Sequence, residues 1–159
     1  MNAITIENLT KKYENNVAVD NLNLSIKQGE LFALLGGNGA GKTTTIKMLS
    51  CLIKPTSGDA YLLGDNITSN PHTIKKKINI SPQETAVAAN LSVLENLKLI
   101  AGIYGQDSKT ANKNAHEIAC KFGLEQELNK KAKNLSGGMQ RRLSIAMALI
   151  SEPQILFLD

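Results

Sequence analysis

Gly36-Gly37-Asn38-Gly39-Ala40-Gly41-Lys42-Thr43 fits the spacing G-x-x-x-x-G-K-[ST]. Glycines let the backbone curl so that successive N–H groups converge on one anion. A helix beginning near Gly41 adds unpaired N–H groups and the positive end of its dipole. Lys42 supplies a point charge for the distal phosphates of a nucleotide, and the Thr43 hydroxyl is a hard oxygen ligand for Mg²⁺. A bare turn would need no lysine at that position. A second helix start of the same chemical kind lies at Leu135-Ser136-Gly137-Gly138-Met139-Gln140, where a serine and two glycines precede Leu143, Ala146, Met147 and Ile150 on one helical face. Asp159 follows the apolar run Ile155–Leu158, and a carboxylate at a strand's carboxyl end is placed to hold Mg²⁺ through water.

The elements that must position these groups follow from periodicity. Ile4–Leu9 and Leu22–Ile26 alternate apolar with polar, which predicts half-buried strands. Leu31–Leu35 is a continuous apolar run and predicts a strand buried on both faces, leading through the glycines into a helix over Lys42–Leu52. Pro55 and Ser57-Gly58 mark a turn, Ala60–Leu63 a short strand, and Pro71 after Asn70 the start of a short basic helix. Lys77–Ser81 reads as another strand. Ser92 and Glu95 form a capping box ahead of Leu94, Leu97, Ala101 and Tyr104 at helical spacing, and a further helix is expected over Lys109–Phe122, ended by Gly123. Residues 85–150 are thus mostly helical, and Ile155–Leu158 is a short buried strand. Strand-rich ends around a helical middle predict an α/β core, partly parallel, with a helical insertion.

Composition narrows the class. At 159 residues the chain is one domain or most of one, and with 42% apolar and 20% charged residues it is too apolar to be disordered. No apolar stretch reaches the roughly 18 residues a membrane span needs. The start MNAITIENLT lacks a basic segment followed by an apolar run, so no secretory signal is expected. The net charge of +4 reads as a Lys-rich solvated surface. Its densest clusters, Lys75–Lys77 and Lys130, Lys131 and Lys133, have no interleaved aromatics on which bases could stack, so no nucleic acid partner is expected. Cys51 and Cys120 fit no metal spacing and read as reduced thiols; His72 and His116 are isolated.

Leu135–Gln140 resembles the LSGGQ signature of ATP-binding cassette (ABC) proteins, and the resemblance runs through the whole chain in the family's order. Tyr13 stands where the family has an aromatic that stacks on adenine, Gln83 in Ser81-Pro82-Gln83-Glu84 matches the Q-loop, and Ile155–Asp159 matches the Walker B strand. The resemblance implies a P-loop NTPase (RecA-like) α/β core with an N-terminal antiparallel β region and an inserted α-helical subdomain. Residues 1–84 and 152–159 would be the ATP-binding core, and 85–151 the signature subdomain. ATP would be held by Tyr13, Ala18, Gly36, Gly37, Asn38, Gly39, Ala40, Gly41, Lys42, Thr43 and Thr44. Mg²⁺ would be held by Thr43, Gln83 and Asp159, with Lys42 and Gln83 the catalytic groups present. Leu135, Ser136, Gly137, Gly138, Met139 and Gln140 would touch the ATP of a partner cassette in a head-to-tail dimer, homomeric or heteromeric.

By the same resemblance the chain is the ATPase subunit of a transporter of multidrug or antibiotic-resistance type. It would sit in the cytoplasm on the inner face of the membrane, beside a transmembrane permease. Three departures qualify this. Gly37 stands where the family often has Pro, which frees φ there without touching the phosphate contacts, and Met139 replaces Gln, which removes a polar contact. The family's general-base glutamate follows the Walker B aspartate, where this sequence stops. The expectation is that these 159 residues bind nucleotide, hydrolyse ATP poorly and leave a sheet edge unpaired. Two other readings remain open here. One is a soluble cassette protein of DNA repair, chromosome organisation or translation, the chromosome type being disfavoured by the lack of sustained heptads between the two motifs. The other is a non-hydrolysing nucleotide-binding module.

Overall fold

Both alternating segments near the N-terminus become strands, longer than the alternation marks: β1 spans Asn2–Tyr13 and β2 Asn16–Lys27, paired antiparallel. The computed structural model describes residues 1–82 and 86–159. These fall into two units, Met1–Ile78 and Asn79–Asp159.

In the first unit β1 also pairs antiparallel with β3 (Ser57–Leu62), which pairs with β4 (Asp65–Asn66), giving the order β2-β1-β3-β4. The inward residues Ile4, Ile6 and Leu9 of β1 and Ala60 and Leu62 of β3 are buried. So are Ile46, Met48 and Leu49 of helix α1 (Lys42–Leu49) and Ile74 of helix α2 (Pro71–Lys75). Ser57-Gly58 is strand rather than turn. Gly58 has φ +79 at a register shift, and a Cβ there would lie 2.1 Å from the carbonyl oxygen of Asn8, so only glycine lets the two strands approach. Helix α1 stops before Leu52 because Ser50 turns its hydroxyl back on Ile46 O (2.7 Å) and Cys51 takes φ 58. Asn70 precedes Pro71 but does not cap with its side chain; its amide donates instead to Asp65 (3.2 Å). Lys77 also bonds Asp65 (2.8 Å), and these bonds, Lys77's foremost, hold the carboxyl below its ordinary range.

The Leu31–Leu35 expectation is overturned. Among the described residues this segment belongs to no strand, and Leu31 and Leu35 are 97% and 92% exposed. An unbroken apolar run says what a segment would bury, but a strand also needs a ladder partner on each side.

The second unit begins inside β5 (Ile78–Ser81), which pairs with β6 (Ile155–Leu158). Only Phe157 of β6 is buried, and Leu158 is half exposed, so the strand is less enclosed than its composition suggests. Helices α3 (Val93–Ile103), α4 (Ser108–Lys121) and α5 (Gly137–Leu149) share a cluster built on Val93, Leu97, Ala101, Ala115, Leu143 and Ala146. The alanines of α4 let it lie close to its neighbours. The capping box is present as expected: Glu95 N donates to Ser92 Oγ (3.1 Å) and Ser92 N to Glu95 Oε2 (2.7 Å). That last bond chiefly keeps the Glu95 carboxyl low. Asp107 caps α4 by accepting from Lys109 N and Thr110 N (both 3.0 Å), and its carboxyl is lowered first by the Thr110 hydroxyl at 2.6 Å. Tyr104 ends α3 largely exposed, off the buried stripe, while Asn96 occupies that stripe at 0% exposure. Both cysteines are free; burial pushes the Cys51 thiol up and so away from reactive thiolate.

Candidate nucleotide-binding site

In the first unit the glycine-rich segment ends at Gly41, the N-cap of α1, with φ 80 and ψ 5. A Cβ on Gly41 would lie 2.3 Å from the carbonyl oxygen of Ala18. Ala18 reaches that point because the ladder pairs Lys11 with Val19 but Lys12 with Val17, leaving Ala18 as the extra residue of a β-bulge. The bulge and the helix start are therefore in backbone contact, which brings Ala18 to the loop. Thr45 seals the first turn, its N–H and its hydroxyl both donating to Gly41 O (2.8 and 2.9 Å).

Lys42 folds over its own loop, its Nζ donating to Gly36 O (2.7 Å) and Gly37 O (2.8 Å). The ammonium is thus held against the carbonyl side of the loop. Ala40 N donates to Gly37 O (3.2 Å), and Asn38 and Gly39 form an exposed tip with φ +82 at Gly39. No acidic residue lies in the first turn of α1, so the helix's own sequence does not offset the positive end of its dipole. A lysine, a helix start bearing Thr43 and Thr44, and a backbone position where only hydrogen fits make a donor set suited to a polyphosphate. Tyr13, at the end of β1 opposite Asn16, is 46% exposed. The Lys11 Nζ lies 5.1 Å from its ring centroid, a contact that nothing in the sequence pattern announces.

In the second unit Ser136 caps α5, its hydroxyl accepting from Met139 N (3.3 Å), with Gly137 and Gly138 exposed beside it. Leu135 is buried, and Met139 packs against the apolar cluster, so methionine here serves as an anchor. Gln140 turns back to donate to Ala132 O (3.1 Å) and Leu135 O (3.3 Å). The approach to Ser136 is fixed from further upstream. Ala132 N and Lys133 N donate to Leu91 O and Ala89 O, and Asn96 holds the Ala88–Ser92 turn through bonds to Ala88 N (2.8 Å), Ala88 O (3.1 Å) and Ser92 O (2.9 Å).

Asp159 N donates to Ser81 O (3.0 Å), and Arg141 donates both to the carbonyl of Asp159 (3.2 Å) and to that of Pro82. Arg141 was not among the sequence candidates; it lies beyond the signature, and only the fold shows what it reaches. Gln83 lies outside the described residues. His116 bonds Asn112 O (2.8 Å) within its own helix, and His72 is exposed. Among the described residues no three His, Cys, Asp or Glu converge to hold a metal, and no helix is long and apolar enough to cross a membrane.

The family pattern for ABC transporters matches residues 19–159. This chain belongs to the ABC transporter family. Its fold is the family's RecA-like P-loop core with an N-terminal antiparallel sheet and helical insertions, and ATP and Mg²⁺ binding is typical of such domains. It is 39% identical over 157 residues to the daunorubicin/doxorubicin resistance ATP-binding protein DrrA of Streptomyces peucetius, covering 99% of this chain and 48% of that protein. It is 43% identical over 156 residues to the bacitracin transport ATP-binding protein BcrA of Bacillus licheniformis, covering 98% of this chain and 50% of that protein. Among solved structures it resembles CbiO1 of Clostridium perfringens, part of the ABC transporter complex CbiONQ, with TM-score 0.89 and 27% identity over 99% of this chain and 65% of that one. The chain thus spans about half the length of these curated relatives.

Proposed function

We propose that this chain is the nucleotide-binding part of an ABC transporter ATPase subunit of exporter type. It would couple ATP binding and hydrolysis to transport by a membrane partner from the inner face of the membrane. The observation that carries this is the pair of anion-competent helix starts in one chain: α1 behind Gly41 and Lys42, and α5 behind Ser136. The resistance and antibiotic-transport names of DrrA and BcrA support the exporter assignment.

In this reading residues 1–84 and 152–159 form the ATP-binding core and 85–151 the signature subdomain. Tyr13 stacks on the base, and the Ala18 bulge buttresses the loop. The N–H groups of Gly36–Thr44 and the Lys42 ammonium neutralise the phosphates. The Thr43 hydroxyl and the carboxylate of Asp159 offer hard oxygen donors to Mg²⁺, and Gln83 joins them. ATP supplies a γ-phosphate that can be shared between one chain's loop and a second subunit's Leu135–Gln140. Ser136 and the exposed N–H groups beside it then donate to that phosphate, which ties dimerisation to the nucleotide.

Lys42→Ala is expected to weaken ATP binding by about ten- to a hundredfold, the worth of charge-assisted hydrogen bonds. Ser136→Ala should leave the ATP affinity of the isolated chain unchanged and weaken ATP-dependent dimerisation. Calorimetric titration and analytical ultracentrifugation read the two. Unchanged affinity in Lys42→Ala would overturn the proposal.

A further inference from the structure

We propose that Lys11 is a positioning residue for the nucleotide base: its ammonium backs one face of the Tyr13 ring and presents the other to a purine. The inference rests on the reading of Tyr13 as the stacking residue. Lys11 and Tyr13 are two residues apart on β1, so their side chains leave the same face of the strand. Nζ stands 5.1 Å from the ring centroid, inside the range of a cation–π contact.

The cation is also held from behind, since Nζ donates to Lys54 O at 2.7 Å. The segment that carries Lys54 is itself fastened to β1. Thr56 N donates to Thr10 O (2.8 Å), and Lys12 N donates to Thr56 Oγ1 (3.0 Å). The ammonium is therefore a fixed support rather than a freely swinging surface charge. Tyr13 as a residue is 46% exposed, as a side chain that meets a planar partner must be.

Electrostatics gives the arrangement its purpose. Two stacked π faces are both negative and repel at the centre. A cation on the far side draws the tyrosine's π density toward itself and so makes the near face a better platform for a base. The contribution is borne by the base and not by the phosphates. It should also be indifferent to which purine is bound, because every base has a π face.

Titration calorimetry on the chain with ATP, GTP and inorganic tripolyphosphate separates these terms. Lys11→Met keeps the apolar stem and removes the charge. It is expected to weaken ATP and GTP alike by about two- to fivefold, with tripolyphosphate unchanged. Lys11→Arg should retain the wild-type affinities, and in a Tyr13→Ala background Lys11→Met should change nothing further. The proposal is overturned if Lys11→Met leaves ATP affinity intact. It is also overturned if tripolyphosphate weakens by the same factor, which would make Lys11 a general attractor of anions. If Tyr13→Ala costs ATP nothing, the stacking role fails and the Lys11 proposal with it. If wild-type chain binds neither ATP nor tripolyphosphate, the phosphate-loop reading itself fails.

Discussion

A methyl group at position 41 would collide with the main chain of another strand, and that collision separates two kinds of glycine in the loop. At Gly41 the added Cβ meets Ala18 O at 2.3 Å on a backbone with φ +80, whereas at Gly37 it meets nothing within 4 Å and needs no left-handed backbone. Gly41→Ala is accordingly expected to destabilise by more than about 1 kcal/mol and to lose nucleotide affinity. Gly37→Ala should be near neutral in both thermal unfolding and ATP titration. The motif already separates them, since Gly41 is one of its two fixed glycines and Gly37 fills a variable position, and the contact with Ala18 O supplies the physical reason. The helix start behind Gly41 and Lys42 was legible from spacing, because the proposed phosphate chemistry asks for lysine and threonine at set offsets. The contacts of Arg141 with two carbonyls were not, because they depend on where other segments bring their atoms, and the Lys11–Tyr13 pair, though two apart on β1, needed the fold to show Lys54 O behind the ammonium.

At the scale of elements, α5 has a polar side as well as an apolar one. Down one side of it Arg141 reaches Pro82 O and Asp159 O, Ser144 meets Ser81 (3.3 Å), and Asn79 donates to Ala148 O (3.0 Å) and Ser151 Oγ (3.1 Å). The helix that starts at the signature is thus tied to β5 by a polar seam. Arg141→Ala is expected to cost about 1 kcal/mol, since it removes a charge-assisted bond to the half-buried Pro82 carbonyl. Chemical denaturation measures it, and a loss below experimental error would show that the seam does not hold the helix. The apolar face of α5 was readable from Leu143, Ala146, Met147 and Ile150, all buried. The seam was hidden because serine, asparagine and arginine at helical spacing look the same as a solvated face. Asn96 was hidden for the same reason. It sits at 0% exposure where the pattern favours an apolar residue, and it is tolerated because every hydrogen-bonding group of its side chain has a partner.

At the scale of the whole molecule three hydrogen-bonded carboxylates contribute to the response to acid. Asp65, Glu95 and Asp107 are each held below their ordinary range by hydrogen bonds: from Lys77, from the Ser92 backbone and from the Thr110 hydroxyl. Because the folded chain binds these protons less tightly than the unfolded one, their contribution is fully present above the ordinary carboxylate range. It is lost as pH falls through that range to the lower folded values. The thermal midpoint should hold steady near neutrality and drop on acidification, and substituting all three by their amides should flatten the drop. An unchanged acid limb in that variant would refute the assignment. The same scale shows where sequence reasoning overreached. Leu31–Leu35 has the composition of a central strand and among the described residues pairs with none, since pairing is a property of the assembled sheet and not of the segment.

The exposed tip of the phosphate loop gives the molecule a chemical clock. Asn38 is followed by Gly39, which has no side chain to hinder its amide nitrogen, so slow attack of that nitrogen on the Asn38 side-chain carbonyl would expel ammonia and form a cyclic imide, which water then opens to aspartate or isoaspartate. That converts a neutral residue into an anion beside the helix start proposed to hold phosphate, where the two negative charges would repel. Stored protein should therefore lose ATP affinity in step with its isoaspartate content, and Asn38→Ser should age without that loss.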